Sequence, residues 1–441
     1  AIGAAGVGGM VGGGIPAHDE PVMTPRKTFL LLALLLAAAP AAGAVEFSAA
    51  ELSRAAALQQ RLVTLDSHLD TAENLHRAGF DILQPHPGNA LSQVDLPRMR
   101  HGAFDGGFFA IYTGQGERTP QAWEEDRDAG LKRLVEIREM LAAHPRQFGL
   151  ALTADDAARL KREGRRVVYI SMENASPLVK DPSLLGFYRD EGLRLLSLVH
   201  FLNNELADSS TDPKGPEWHG ISPAGKALMM DAVKRGIVID QSHASDEVFD
   251  QMLELLPVPF IASHSGAKAV YDHPRNLDDA RLRKLAAKGG VVQVNSYPGY
   301  LIDARPSPER KAAEAALEKD YADWDRLTMA QGAELAARQK ALDDAYPVRK
   351  ATLDDFFAHL QHLLDVAGPE HVGIGMDWDG GGGVEGMQSV ADLPRITAWL
   401  LRKGYSEQQI AGIWGGNLLR VLRQAQDYAA AQAARPPAGA R

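Results

Sequence analysis

Seven side chains of this sequence stand where imidazole and carboxylate chemistry could converge. His68 and Asp70 form a His-x-Asp pair, and Glu173, His200, His243, His264 and Asp377 each follow a short apolar run. Residues i and i+2 of an extended strand point to one side, so His68 and Asp70 together suit one cation. His243 and His264 are 21 residues apart, about one strand–helix–strand unit, which places them on neighbouring strand ends. Glu173 adds a carboxylate able to bridge two ions. Three histidines and two carboxylates exceed what a single three-ligand catalytic zinc uses. They fit two ions that share a bridging carboxylate and a bridging water. The chain contains no cysteine, which excludes disulfides, thiolate nucleophiles and cysteine-ligated metal. Any metal must be held by His, Asp and Glu.

Such residues need elements that bring them to one place. Eight apolar runs bounded by breakers read as strands: 62–65, 107–112, 167–171, 193–199, 236–239, 259–262, 291–294 and 372–375. Most are continuous and not alternating, as in a parallel sheet covered on both faces. Helical patterns over 224–234, 246–256, 278–288 and 352–366 lie between them. The eightfold alternation predicts an α/β fold, a (β/α)8 TIM barrel, whose strand C-termini share one face. Segment 302–350, long, charged and Ala-rich, predicts a helical insertion between the seventh and eighth strands, a solvated hairpin on the catalytic face or its rim. His76, His86, His101, His144, His359 and His362 lack strand-end placement and read as surface or loop residues.

The 441 residues carry 47 Lys and Arg against 57 Asp and Glu, a net charge of −10, with 45% apolar residues. This is globular composition, and the acidic balance argues against a nucleic-acid partner. Within an upstream segment 1–44, Arg26-Lys27, the apolar run 29–39 and Ala42-Gly43-Ala44 read as a signal peptide over about 23–44. The apolar run is short against the ~20 residues a spanning helix needs. The expectation is cleavage, no stable membrane anchor, and a periplasmic or secreted chain. The barrel domain is expected over 45–425 and a flexible tail over 426–441.

At this point the sequence resembles the membrane (renal) dipeptidase family of M19-type zinc dipeptidases, in the manner of a bacterial secreted member. The resemblance covers about 62–422. It is carried by Asp66-Ser-His68-Leu-Asp70, Met172-Glu173-Asn174, Leu198-Val-His200 with Asn203, and Asp240-Gln-Ser-His243-Ala-Ser. It continues through Ser263-His264-Ser265, Arg275-Asn276, Gly375-Met-Asp377-Trp-Asp379-Gly380 and Gly416-Asn417. It implies zinc-dependent hydrolysis of dipeptides by a metal-bridging hydroxide at a binuclear centre. One Zn2+ is then expected on His68, Asp70 and Glu173, and the second on Glu173, His243 and His264. His200 is expected to polarise the scissile carbonyl, Arg275 to hold the substrate carboxylate with Tyr300 nearby, and Asp377 to transfer the proton. Family members are often dimers, so a homodimer is an expectation. Leu69 stands where the family more often has Asn, and Trp378 where it has Phe. The residues alone also leave room for another dinuclear amidohydrolase, acting on lactams, N-acyl amino acids or phosphoesters, or for a non-catalytic binding relative.

Overall fold

The computed structural model describes residues 45–434; the expected signal peptide lies outside these residues, as does the end of the tail. Nine strands form one sheet: β1 Leu65–Leu69, β2 Gly106–Tyr112, β3 Phe148–Leu150, β4 Arg166–Glu173, β5 Leu193–Ser197, β6 Val238–Asp240, β7 Ile261–Ser265, β8 Val291–Val294 and β9 Val372–Ile374. Every pairing is parallel, in the order β1-β2-β4-β5-β6-β7-β8-β9, with β3 an extra partner on β4. Helices separate most of these strands, as parallel connections require. The result is a nearly closed (β/α)8 barrel. At the seam, Leu69 bridges Trp378 in parallel, and the Asp70 N–H donates to the Trp378 carbonyl at 2.9 Å. Asp66 completes the seam, its carboxylate accepting the Met376 N–H at 3.1 Å.

The strands bury both faces, and period-two alternation sorts their residues. Phe109, Val168, Ile170, Leu196, Ile239, Ala262 and Val292 join the large cluster that includes helix residues such as Ile137, Met229 and Phe249. Their neighbours Phe108, Val167, Tyr169, Leu195, Val238, Ile261 and Val291 form a second cluster. That cluster is completed by Leu418, Val421 and Leu422 of the C-terminal helix Asn417–Ala433. Its strand members lie toward the N-terminal halves of their strands. The C-terminal ends carry polar residues instead, so one end of the barrel is apolar and the other holds chemistry.

The helical insertion is present between β8 and β9. Helices Pro308–Asp320 and Met329–Ala345 start at Ser307 and Thr328, whose hydroxyls cap the free N–H groups of Arg310 and Gln331. Arg310 ties the two together, donating to Glu314 at 2.7 Å, to the Tyr346 carbonyl at 2.6 Å and to Asp343 at 2.9 Å. Leu327, Met329 and Leu335 pack with Tyr321 against Leu91, so one side of the hairpin is seated and only the other is solvated.

Three expectations need correction, and one strand was not foreseen. The first strand is Leu65–Leu69 and not 62–65; Leu62 caps the preceding helix, and the strand runs on through Asp66, Ser67 and His68 because these polar residues are paired inside. β3 has only three residues, too short for an apolar run to mark it. The tail expected from 426 is helical through Ala433, anchored by Gln426, which donates to the Leu152 carbonyl at 2.8 Å. His359 is fully buried: its Nδ1 accepts the Ala267 N–H at 3.0 Å and its Nε2 meets the Leu301 carbonyl at 3.1 Å.

Candidate metal centre

Each expected ligand sits at a strand end or in the turn after it. His68 lies within β1, and Asp70 opens the 3-10 turn Asp70–Asn74 that follows. Glu173 is the last residue of β4 and His264 lies in β7. His200, His243 and Asp377 stand just beyond β5, β6 and β9. All seven are at least nine-tenths buried. Glu173 is the hub. Its Oε2 is 3.4 Å from His68 Nε2, and its Oε1 is 3.1, 3.5 and 3.9 Å from the Nε2 atoms of His243, His264 and His200. His68 Nε2 is also 3.4 Å from Asp70 and 3.9 Å from Asp377. Three overlapping groups can each hold an ion: His68, Glu173 and His264; Glu173, His200 and His243; His68, Asp70 and Asp377.

The donor set fits divalent cations. His243 and His264 aim their Nε2 atoms at each other across 2.9 Å. His68 Nε2, Asp70 Oδ1 and Glu173 Oε1 are buried and have no hydrogen-bond partner. Buried polar atoms are seldom left so. Nitrogen and oxygen donors without sulfur suit zinc and similar ions. His264 is oriented from behind: its Nδ1 lies 2.8 Å from Ser263 Oγ, which donates to Asp240 at 2.5 Å. Such a relay fixes the ring and leaves Nε2 as the ligand atom.

The backbone is strained where it delivers these groups. Among the described residues, His243, Asp377, Asp379 and Asn174 all have φ between 64° and 73°. Left-handed backbone is uncommon outside glycine and costs of order 1–3 kcal/mol each. Asn174 is supported by its side chain, which donates to the Thr113 carbonyl and accepts from Ser176 and Asn204. Asp377 is supported by its carbonyl, which accepts the Gly382 N–H at 2.8 Å. Gly380 is required by close approach: a Cβ there would lie 2.1 Å from Asp70 Oδ2 and 2.6 Å from Asp377 Oδ1.

Burial and crowded charge perturb His68, Glu173, His200, His243, His264 and Asp377. Burial disfavours the charged form of His68, but Glu173 and Asp70 outweigh it and hold the imidazolium well above its usual range. Burial likewise opposes ionisation of Glu173, yet His68 and His200 draw it well below the carboxylate range. Burial, with the Arg275 charge, keeps His243 well below normal, and burial with the charges of His68 and Arg275 does so for His264. Burial is also the first cause that lowers His200. Asp377 is pushed up to about 8, by burial and then by the carboxylates of Asp70 and Glu173, against the pull of His68.

These groups open onto a cavity of about 410 Å3, walled by Tyr112, Phe201, Tyr297, Tyr300, Trp324 and the acidic cluster. Tyr300 lines it; Arg275 is not among the lining residues. Arg275 is buried behind, with Cζ 5.0 Å from the Tyr300 ring and Nη2 donating to the His264 carbonyl at 3.1 Å. Its Nε has no partner. Asn276 donates to the Tyr300 carbonyl at 2.8 Å, holding that residue in place. The hairpin of the insertion reaches the site through its connecting loop, whose residues 322–325 form part of the wall.

Sequence reasoning assigned no role to Asp66, which it named only within a motif, and missed Glu73 and Trp324. Asp66 accepts the N–H of His68 at 2.9 Å as well as that of Met376, so one carboxylate aligns the strands that bear His68 and Asp377. Glu73 lines the cavity one turn past Asp70 and accepts the Trp324 indole N–H at 3.2 Å. Its position three residues after a ligand, on the same helical turn, was the available signal.

A parallel barrel with imidazoles and carboxylates gathered at its strand C-termini has the form of a metal-dependent barrel hydrolase. Residues 52–436 match the family model for membrane dipeptidase, peptidase family M19. The chain belongs to this family and is a peptidase. It is 28% identical over 381 residues to an uncharacterized dipeptidase of Schizosaccharomyces pombe, covering 82% of this chain and 81% of that protein. Dipeptidase tcpJ of Claviceps purpurea is 26% identical over 344 residues, 77% of this chain and 71% of its own. The probable dipeptidase PvdM of Pseudomonas aeruginosa superposes with a TM-score of 0.73 at 28% identity, over 87% of this chain and 100% of that one.

Proposed function

We propose that this dipeptidase works with two Zn2+ ions, one on His68, Asp70 and Glu173 and one on Glu173, His243 and His264. The observation that carries the reading is the convergence of four Nε2 atoms on the single buried carboxylate of Glu173. When bound, such ions supply Lewis acidity toward a carbonyl and bring the pKa of water toward neutrality. The remaining groups are placed for the peptide itself. His200 Nε2 faces the same cavity and can donate to the carbonyl oxygen as negative charge develops there. Arg275, with an unpartnered Nε behind Tyr300, would hold the substrate carboxylate in a fork, favouring free C-termini, once the Tyr300 side chain gives way to open a path from the cavity. Asp377 Oδ1, close to His68, can take a proton from the attacking water and deliver it to the leaving nitrogen.

The test is a dipeptide panel, with L and D residues at the C-terminal position, measured with zinc, after chelation and after zinc is restored. Metal analysis should find about two zinc per chain. Chelator-resistant hydrolysis, or a chain that takes up no metal, would overturn the reading. The reading extends to an exported, periplasmic or secreted enzyme of a bacterial kind, supported by Arg26-Lys27, the apolar run 29–39 and the Ala42-Gly43-Ala44 site; N-terminal sequencing of the exported chain tests it. Among the described residues no helix is long and apolar enough to cross a membrane. Light scattering tests the homodimer that the family resemblance suggests.

A further inference from the structure

The residues lining the cavity include seven carboxylates and no lysine or arginine. With two divalent cations bound among the buried members, the exposed carboxylates of the lining would still keep this wall acidic. Asp323 and Asp325 contribute to it from the insertion and belong to no ligand group. Each has one loose arginine partner, Arg326 at 3.5 Å and Arg133 at 3.6 Å, and both carboxylates remain largely exposed. Trp324, between them, is 38% exposed and lines the cavity. An indole face accepts an apolar or cationic side chain and offers nothing to an anion.

This wall is fixed in place. The Trp324 N–H donates to Glu73, and Arg77 donates to the carbonyls of Trp324 and Leu327. His76 Nε2 lies 2.7 Å from the Asp325 carbonyl, and the Met329 N–H donates to Ala78 at 3.0 Å. Arg77 and Arg133 are both buried; Arg77 is taken up by backbone carbonyls, Arg133 and Arg326 touch Asp325 and Asp323 only loosely, and none of the three lines the cavity.

We infer that loop 321–327 is the side-chain specificity wall of the enzyme, selecting dipeptides with neutral or cationic side chains against those with acidic ones. The inference rests on the dipeptidase reading above. It is tested with the zinc-loaded enzyme on Ala-Ala, Ala-Lys, Ala-Glu, Lys-Ala and Glu-Ala. The wild type should show higher kcat/KM for a lysine dipeptide than for its glutamate counterpart. The D323N/D325N double variant, nearly isosteric and at exposed positions, should lower that ratio about threefold to tenfold, and raised salt should shrink the difference between the two enzymes. W324A should lose more kcat/KM on lysine dipeptides than on Ala-Ala. If W324A fails to fold, the double variant decides alone. An unchanged lysine-to-glutamate ratio in the double variant at low salt, with Ala-Ala still cleaved, overturns the wall and leaves the dipeptidase reading intact. Failure of the zinc-loaded wild type to cleave any of the five overturns that reading itself.

Discussion

Replacing Glu173 by Gln removes one charge and almost no volume, at the point where four imidazoles meet. At 3.4 Å and an effective dielectric near 20, a pair of unit charges is worth about 5 kcal/mol. Two divalent cations sharing this carboxylate would each lose attraction of that order. A fall of about 10³-fold or more in the affinity of at least one site, and in kcat/KM, is the expected result. The metal-free protein gives an independent readout. Glu173 is held below its ordinary pKa, so its contribution is present above about 4.5 and lost as pH falls through the lowered value. His68 is held above 6.5, so its contribution is complete below that and lost as pH rises through the raised value. The pair therefore stabilises most between about pH 4.5 and 6.5. Breaking a buried pair from one side costs about 3–5 kcal/mol. Urea denaturation of chelated wild type and variant should show the largest gap near pH 5.5 and a smaller one near pH 9. Equal stability at pH 5.5, or a variant that keeps two zinc ions and full turnover, would refute the hub role of Glu173.

Three further outcomes follow from the same geometry. Glu73, pushed up to about 8 by burial and then by the neighbouring Asp70, destabilises the metal-free fold increasingly as pH climbs from about 4.5 to 8. Glu73→Gln should therefore raise its stability by about 3 kcal/mol at pH 7 and far less at pH 5, read from urea midpoints. Asp66→Ala strands the buried N–H groups of His68 and Met376, which should cost about 2–4 kcal/mol in denaturation and weaken zinc retention. Gly380→Ala drives a methyl against the carboxylates of Asp70 and Asp377; metal affinity should fall about 10–100-fold, measured by competition with a chromogenic chelator.

The parts of this molecule that could be read in advance are those in which sequence neighbours decide the outcome. Val167 to Ser171 and Val291 to Val294 are apolar on both faces, so a strand buried on both sides is written into the run itself. His243 and His264 stand out because each closes such a run. β1 shows where this fails. Its hydrophobic part ends at Leu65, yet the strand continues through Asp66 and His68, because Asp66 finds Met376, 310 positions later. No local pattern encodes that partner. His359 was missed for a related reason: a helical histidine looks the same in sequence whether it faces water or, as here, two backbone groups 58 and 92 positions away. Loop 321–327 is polar and reads as solvated, and only its tertiary lashings to Glu73 and Arg77 make it a wall.

The perturbed groups share one direction of cause. Burial pushes Asp66 to about 7, Asp379 to about 6 and Asp377 to about 8, toward neutral acids, while it pushes His200, His243 and His264 toward neutral imidazole. Only His68 and Glu173 resist, because each has the other. A network that stays neutral by suppressing its own charges, on a backbone with left-handed residues at His243 and Asp377, is poorly satisfied by protein atoms alone. Divalent cations held by His68, Asp70, Glu173, His243 and His264 would invert that balance, since they would add positive charge beside the buried carboxylates, and the neutral His243 and His264 already present lone pairs. Metal binding would then offset the strain and desolvation at the strand ends. Metal affinity should accordingly rise between pH 6 and 8 as the proton that His68 must give up to act as a ligand becomes easier to remove, and thermal stability should depend on zinc concentration more steeply at pH 8 than at pH 6. A melting temperature with the same zinc dependence at both pH values would show that metal binding releases no proton from His68.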